Sequence, residues 1–132
     1  MRLWMVGLCA ALLVAGCGAP GDYAVTVTRG GRQLARLDLA ALRALPQSDI
    51  ATPGTGDGGR QDGPSVAAVL DKAGAGTFTR IVVTGDEGAR TFTAAEVAGA
   101  VLDLTNRGTT KFASAGVGQD RWVHTVTDLD VS

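Results

Sequence analysis

Apolar and polar residues alternate at the start of the globular part of the chain, and this pattern predicts a β-hairpin. Residues 23–28, Tyr-Ala-Val-Thr-Val-Thr, have the period of two of a half-buried strand. Gly30 and Gly31 are typical of a tight hairpin turn, and residues 32–37 form the predicted return strand.

Capping residues predict two short helices. Asp38 is placed to cap a helix over residues 39–45, which the following proline ends. Ser65 is placed to cap a second helix over residues 66–73, and Gly74 is typical of its C-terminal stop.

A second hairpin repeats the plan of the first. Residues 78–84 are rich in β-branched side chains, residues 85–88 form an acidic glycine turn, and residues 89–92 return. Thr93 and Glu96 have the spacing of a capping box, which predicts a further helix start.

Further strands are predicted at residues 48–51, at 101–105 before a turn at 106–108, and in the closing run 121–131. Strands therefore dominate and the helices are short. The predicted class is α+β, with a mainly antiparallel or mixed β-sheet.

The stretch 52–64, TPGTGDGGRQDGP, holds five glycines and two prolines in thirteen residues and predicts a long loop. Long loops without structure of their own are usually functional or disordered. We therefore expect the contact surface of the domain at this loop and beside the start of the closing strand. The residues of the predicted surface are Asp57, Arg60, Gln61, Asp62, Arg121 and Trp122.

The first sixteen residues have the pattern of a secretory signal: Arg2, a 13-residue apolar run over 3–15, and small residues before Cys17. The run is shorter than the roughly 20 residues of a membrane-spanning helix. Residues 14–17, Val-Ala-Gly-Cys, resemble the lipobox of bacterial lipoproteins. The resemblance implies lipidation of Cys17 and cleavage before it; an ordinary signal peptide with an incidental cysteine is the alternative.

This interpretation divides the chain into a signal peptide (1–16), a lipidated tether (17–22) and one domain (23–132). The protein is then anchored in the cell membrane by lipid and faces the periplasm or the exterior. Stable anchoring requires more than one acyl chain. Removal of residues 1–16 leaves 116 of the 132 residues, which suits one compact domain.

Composition excludes several kinds of site. After cleavage the chain has 11 Lys or Arg against 13 Asp or Glu and no basic cluster, so a nucleic-acid partner is not expected. Cys9 leaves with the signal, Cys17 carries lipid, and His124 is the lone histidine. A thiolate or multi-histidine metal site is therefore excluded. We assign no catalytic residue and no metal ligand, and His124 is interpreted as structural.

Four segments together resemble the molybdopterin-binding domain of the sulfite-oxidase family, in a shortened form. The resemblance covers the chain from about residue 23 to its end. The segments are 37–46 (LDLAALRALP), 63–74 (GPSVAAVLDKAG), the hairpin 81–97, and the closing pieces 121–123 (RWV) and 129–131 (LDV). The resemblance implies that family's fold and, in active members, a molybdopterin cofactor.

Three departures separate this chain from active members. Their molybdenum is held by a cysteine in the segment that corresponds to residues 47–64, which here contains none. The export signal has a lone Arg2, whereas proteins exported with a folded cofactor carry twin arginines. The segment before the closing strand, about 109–120, is also shortened.

We therefore expect no cofactor and a non-catalytic domain that binds an unidentified small molecule or protein. Two alternatives stay open: a molybdopterin-dependent oxidoreductase subunit without a cysteine ligand, and a small β-grasp ligand-binding module.

Overall fold

A computed structural model of the chain describes residues 23–51, 59–105 and 107–132. The class is α+β, as the sequence predicts, with three sheets and short helices. The strands are β1 (Ala24–Arg29), β2 (Arg32–Asp38), β3 (Gln47–Ala51), β4 (Arg60–Pro64), β5 (Arg80–Gly85), β6 (Gly88–Thr93), β7 (Val101–Leu104), β8 (Thr110–Ala113), β9 (Val123–His124) and β10 (Asp128–Val131). The helices are α1 (Leu39–Arg43) and α2 (Val66–Ala73), with a 3₁₀ turn at Gln119–Arg121.

The central sheet has five strands in the order β2-β1-β10-β5-β6. The first strand, β1, runs parallel to the last strand, β10, and the other neighbours are antiparallel. Both predicted hairpins are present at the two sides of this parallel pair. In the first, Gly30 and Gly31 have φ of 59° and 85°, the left-handed values that a tight turn requires.

The other two sheets are small. β3 and β4 form an antiparallel pair, and β7, β8 and β9 form a three-stranded antiparallel sheet. Among the described residues, the buried apolar side chains form a single cluster that draws on the central sheet, the three-stranded sheet and both helices, and Ile50 of β3 is partly buried against it. Its largest members include Phe92 and Phe112, whose ring centroids are 4.8 Å apart.

Both helices begin where their caps predict. The Asp38 carboxylate accepts a hydrogen bond from the Ala41 amide at 2.8 Å, and the Ser65 hydroxyl accepts one from Ala68 at 3.0 Å. α2 has the predicted bounds and ends at Gly74 in the left-handed conformation. α1 is shorter than the predicted 39–45. Within the described residues, no helix has the length and apolar character needed to span a bilayer.

The capping box at Thr93 forms, but the helix predicted after it does not. The Thr93 amide donates to the Glu96 carboxylate at 2.9 Å, and the Glu96 amide donates to the Thr93 hydroxyl at 3.1 Å. Residues 94–99 then form consecutive turns. Gly99 has φ of 80°, so its left-handed backbone ends the segment before a regular helix can extend.

The prediction of a loop over the whole of 52–64 is wrong for residues 60–64. These residues form β4, which pairs with β3 in register from Arg60 opposite Ala51 to Pro64 opposite Gln47. Gly63 is buried against β7, where a Cβ would lie 1.8 Å from the Leu102 carbonyl oxygen. This glycine therefore serves close packing, which composition alone does not distinguish from a flexible loop. Residues 52–58 lie outside the described part.

The closing run is two strands instead of one. β9 belongs to the three-stranded sheet and β10 to the central sheet, and Thr125 between them has φ of 53°. A β-branched residue rarely adopts this left-handed conformation. The sequence of the run 121–131 therefore does not indicate that the strand breaks at Thr125. The segment 109–120, interpreted from the sequence as a shortened connection, contains β8.

Candidate functional site

The predicted contact surface is only partly assembled. Asp57 lies outside the described residues. Arg60 is exposed and pairs with Asp49 across β3 and β4, with its Nε 2.9 Å from the carboxylate. This pairing raises the pKa of the Arg60 guanidinium above its usual value. Asp62 is exposed on the same strand, and Gln61 is half-buried.

Arg121 has a structural role on a different part of the molecule. Its guanidinium lies 4.7 Å from the centre of the Phe92 ring and 3.0 Å from the Glu96 carboxylate. It also donates to the Thr91 carbonyl at 3.0 Å. Arg121 therefore connects the turn after β6 to the 3₁₀ segment, and its guanidinium is already paired with the Glu96 carboxylate.

Trp122 is buried, with 4% of its surface exposed. Its indole N–H donates to the Ser114 carbonyl at 2.9 Å, which satisfies the polar end of the side chain. Trp122 is named in the predicted contact surface, but its ring belongs to the core.

A cleft with charged walls lies elsewhere, at one end of the central sheet. Its volume is about 240 Å³. We call it the polar cleft; it is lined by Asp86, Glu87, Thr105, Arg107, Thr109, Lys111, His124 and Thr125. A second depression, beside α2 at residues 76–78, has a mainly apolar lining that includes Leu70 and Phe78. Specific small-molecule sites combine shape with converging polar groups, so the polar cleft is the stronger candidate.

Three chain segments build the polar cleft. The turn between β5 and β6 supplies Asp86 and Glu87, and the β7–β8 hairpin supplies Thr105, Thr109 and both cations. The end of β9 and the link to β10 supply His124 and Thr125. The β5 end is held tightly against this link: a Cβ on Gly85 would lie 2.2 Å from the His124 carbonyl oxygen. The Asp86 amide donates to the same carbonyl at 3.1 Å.

The carboxylates and the cations of the cleft come from different segments: Asp86 and Glu87 lie on the β5–β6 turn, here called the acidic wall, and Arg107 and Lys111 lie on the β7–β8 hairpin, here called the basic wall. On the acidic wall, the Glu87 carboxylate lies 3.8 Å from His124 Nδ1. On the basic wall, Lys111 lies 3.8 Å from Asp103 and 5.6 Å from the centre of the Trp122 ring. Among the described residues, no carboxylate is within ion-pair distance of Arg107.

Two threonines fix the geometry of the cleft. The strained Thr125 donates from its hydroxyl to the Asp86 carboxylate at 3.2 Å. The Thr105 hydroxyl donates to the Thr109 carbonyl at 3.1 Å and accepts from the Arg107 amide at 3.3 Å, which shapes the β7–β8 turn. Strained backbone is retained where the surrounding structure holds it, and such residues cluster at functional sites.

Sequence reasoning missed this cleft. The acidic pair at 86–87 has the sequence of an ordinary turn, and His124 is interpreted as structural because no partner is near it in sequence. The side chain of His124 is 57% exposed, beside Glu87 from a strand pair nearly forty residues earlier. The one feature of the sequence that indicates the cleft is the pair of acidic residues at 86–87, and such a pair is equally typical of a solvent-exposed turn.

The described residues do not fit a molybdenum centre. The chain has no cysteine from residue 18 onward, so no thiolate is present to supply soft ligation. Among the described residues, no group of three or more His, Cys, Asp or Glu side chains is placed to hold a metal ion. The polar cleft is suited to hydrogen bonds and ion pairs with a small charged ligand.

Comparisons of the chain with models of protein families and with curated proteins find no match.

Proposed function

We propose that this protein is an exported lipoprotein, anchored through Cys17, whose domain binds a small charged ligand in the polar cleft without catalysing a reaction. The observation that carries the binding role is that two carboxylates, on the β5–β6 turn, and two cations, on the β7–β8 hairpin, line one cleft. A single ligand that carries both charges can pair with both walls.

The arrangement favours binding over catalysis because it lacks the parts of an activated nucleophile. The cleft hydroxyls belong to Thr105, Thr109 and Thr125, and those of Thr105 and Thr125 are engaged in the hydrogen bonds that shape the cleft. His124 Nδ1 lies 3.8 Å from the Glu87 carboxylate, and among the described residues no hydrogen bond joins His124 to a hydroxyl. A nucleophile needs a base within hydrogen-bond reach.

For the fold, we propose a shortened relative of the sulfite-oxidase molybdopterin domain that has lost its cofactor. The order and spacing of the four resembling segments support this. The β3–β4 pair occupies the part of the chain where that family places its ligating cysteine, and here the strand is held by Gly63 against β7.

The second candidate is a β-grasp ligand-binding module, and the strand order supports it. The first and last strands, β1 and β10, pair in parallel at the centre of the sheet; β1 continues into the β1–β2 hairpin on one side, and the β5–β6 hairpin lies beside β10 on the other. This is the arrangement expected of a β-grasp sheet. Both candidates predict a binding domain without a bound pterin, and they differ in the family to which the strand order belongs.

Metabolic labelling with palmitate tests the anchor. The wild-type protein should incorporate label and migrate as a mature form, and Cys17→Ala should accumulate as unlabelled precursor. Cys9→Ala is the matched control and should leave labelling unchanged. Label retained by Cys17→Ala would refute the proposed anchor.

Cofactor content tests the choice against a molybdenum enzyme. The mature protein is purified in detergent from a host that makes molybdopterin, and its metal and pterin are measured. We expect neither; a near-stoichiometric amount of both would overturn the non-catalytic assignment.

A further inference from the structure

The polar cleft lies at the end of the central sheet where the domain begins. β1 and β10 start at the same end, because Thr26 pairs with Asp128 in parallel register. Asp128 pairs in turn with Thr84, so the β5–β6 turn that supplies the acidic wall follows at this end too. Two strand spacings separate β1 from β5, about 10 Å.

Tyr23 fixes this starting point. Its hydroxyl donates to the Val126 carbonyl, shares a hydrogen bond with the Thr110 hydroxyl at 2.7 Å, and accepts from the Thr110 amide at 3.2 Å. Thr110 lies between two lining residues of the cleft, and Val126 follows a third, Thr125. The chain therefore enters the domain at a fixed point close to the cleft.

The length of the tether limits how far this end can be from the lipid. Cys17 and Tyr23 are six residues apart, so even a fully extended chain spans at most about 22 Å between them. A bilayer is about 40–45 Å thick with its headgroups. A lipid on Cys17 thus keeps the cleft end of the domain within about half a bilayer thickness of the membrane surface.

The charges of the cleft match the ligand that such a surface offers. A zwitterionic headgroup carries a phosphate and an ammonium a few atoms apart. Arg107 and Lys111 of the β7–β8 hairpin suit the phosphate, and Asp86 and Glu87 of the β5–β6 turn suit the ammonium. The cleft volume, about 240 Å³, is below the roughly 300–1,000 Å³ of drug-sized sites, which suits a headgroup whose acyl chains stay in the bilayer.

We propose that the polar cleft faces the membrane and binds the phosphoethanolamine headgroup of a phospholipid, with the phosphate on the basic wall and the ammonium on the acidic wall. This inference rests on the proposed lipidation of Cys17, which places the cleft beside the bilayer.

Calorimetric titration of the mature lipoprotein in a non-ionic detergent tests the chemistry. Glycerophosphoethanolamine should bind at least about tenfold more tightly than glycerol phosphate, which lacks the ammonium, or ethanolamine, which lacks the phosphate. Arg107→Gln and Glu87→Gln should each weaken binding about fivefold or more. Arg32→Gln removes the same charge at the opposite end of the sheet and should leave binding unchanged.

Two further titrations distinguish the sources of the ligand and the two proposals. Tighter binding of a free zwitterion such as alanine, or equal affinity for glycerol phosphate, would overturn the headgroup assignment. Acyl content is measured on the same sample. An acylated protein that does not bind glycerophosphoethanolamine contradicts this inference alone, and a protein without acyl chains contradicts the proposed anchor and, with it, the membrane-facing orientation.

Discussion

Replacement of Gly63 by alanine tests whether the glycine-rich segment is a packed strand at its C-terminal end. The added Cβ would lie 1.8 Å from the Leu102 carbonyl oxygen and 2.7 Å from the Leu102 carbonyl carbon. Both contacts are with backbone, so no side chain can rotate away. β4 and β7 would have to separate by more than about 1 Å to reach 3.0 Å, the shortest separation that real Cβ atoms show.

The cost follows from the packing of the two strands. Overpacking a core costs about 1–3 kcal/mol and sometimes more, and here two backbones must move together. We expect Gly63→Ala to lower the free energy of unfolding by about 3 kcal/mol or more. For a domain of this size, 1 kcal/mol corresponds to about 4 °C in Tm, so Tm should fall by about 12 °C.

Gly76→Ala is the matched control, because it separates steric from conformational cost. Gly76 has φ of 74° and no atom within 4 Å of an added Cβ. The left-handed backbone should cost about 1 kcal/mol, a fall of about 4 °C. Thermal unfolding followed by circular dichroism measures both variants. If Gly63→Ala is no less stable than Gly76→Ala, then residues 60–64 do not pack against β7 and the loop interpretation is restored.

Three further changes test the contacts around the domain. The pKa of the Glu96 carboxyl is lowered by the hydrogen bond from the Thr93 amide and by Arg121. The ionised carboxylate therefore stabilises the fold above the unfolded pKa of 4.5, and this contribution is lost as pH falls through the folded pKa. Glu96→Gln should flatten the acid side of a plot of Tm against pH. A wild-type limb matched by the variant would contradict this. Burial raises the pKa of Tyr23, the chain's one tyrosine, above 10.0. The protonated hydroxyl therefore stabilises the fold fully below pH 10.0, and this contribution is lost as pH rises through the folded pKa. Absorbance titration of the folded protein in water and of the unfolded protein in urea should give two different pKa values. Tyr23→Phe should cost about 1–2 kcal/mol in denaturant unfolding, and an unchanged midpoint would refute the role given to its hydroxyl. Thr125→Gly should stabilise by up to about 1 kcal/mol through relief of strain while weakening ligand binding, and a loss of stability would show that Thr125 is not strained.

Local sequence rules anticipate the parts of this fold that depend on neighbouring residues. The turn at Gly30 and Gly31, the caps at Asp38 and Ser65, and the stop at Gly74 each involve contacts within a few residues. Such contacts are specified by the residues that make them, so both hairpins and the start of each helix are predictable.

Features that depend on distant segments are not predictable in this way. Gly63 and Gly85 are required by backbones that approach from Leu102 and His124, and no local pattern distinguishes these glycines from loop glycines. Thr125 has a side chain suited to a strand and a backbone that breaks one. The wrong predictions at residues 60–64 and at Thr125 therefore occur where tertiary packing overrides local preference.

The candidate site was missed for the same reason, since its walls come from turns about twenty residues apart in sequence. The predicted surface combined the segment 52–64 with Arg121 and Trp122. The structure places Arg60–Pro64 in a strand pair, Arg121 in contacts with Phe92 and Glu96, and Trp122 in the core. The cleft instead forms where three chain segments meet at one end of the central sheet. Because β1 also starts at that end, the six-residue separation of Cys17 from Tyr23 limits how far the cleft can lie from Cys17. If Cys17 carries lipid, the parallel pairing of β1 with β10 places the cleft at the end of the domain that is nearest the lipid. A change that moves the start of β1 should therefore alter access of the ligand to the cleft, although it replaces no lining residue.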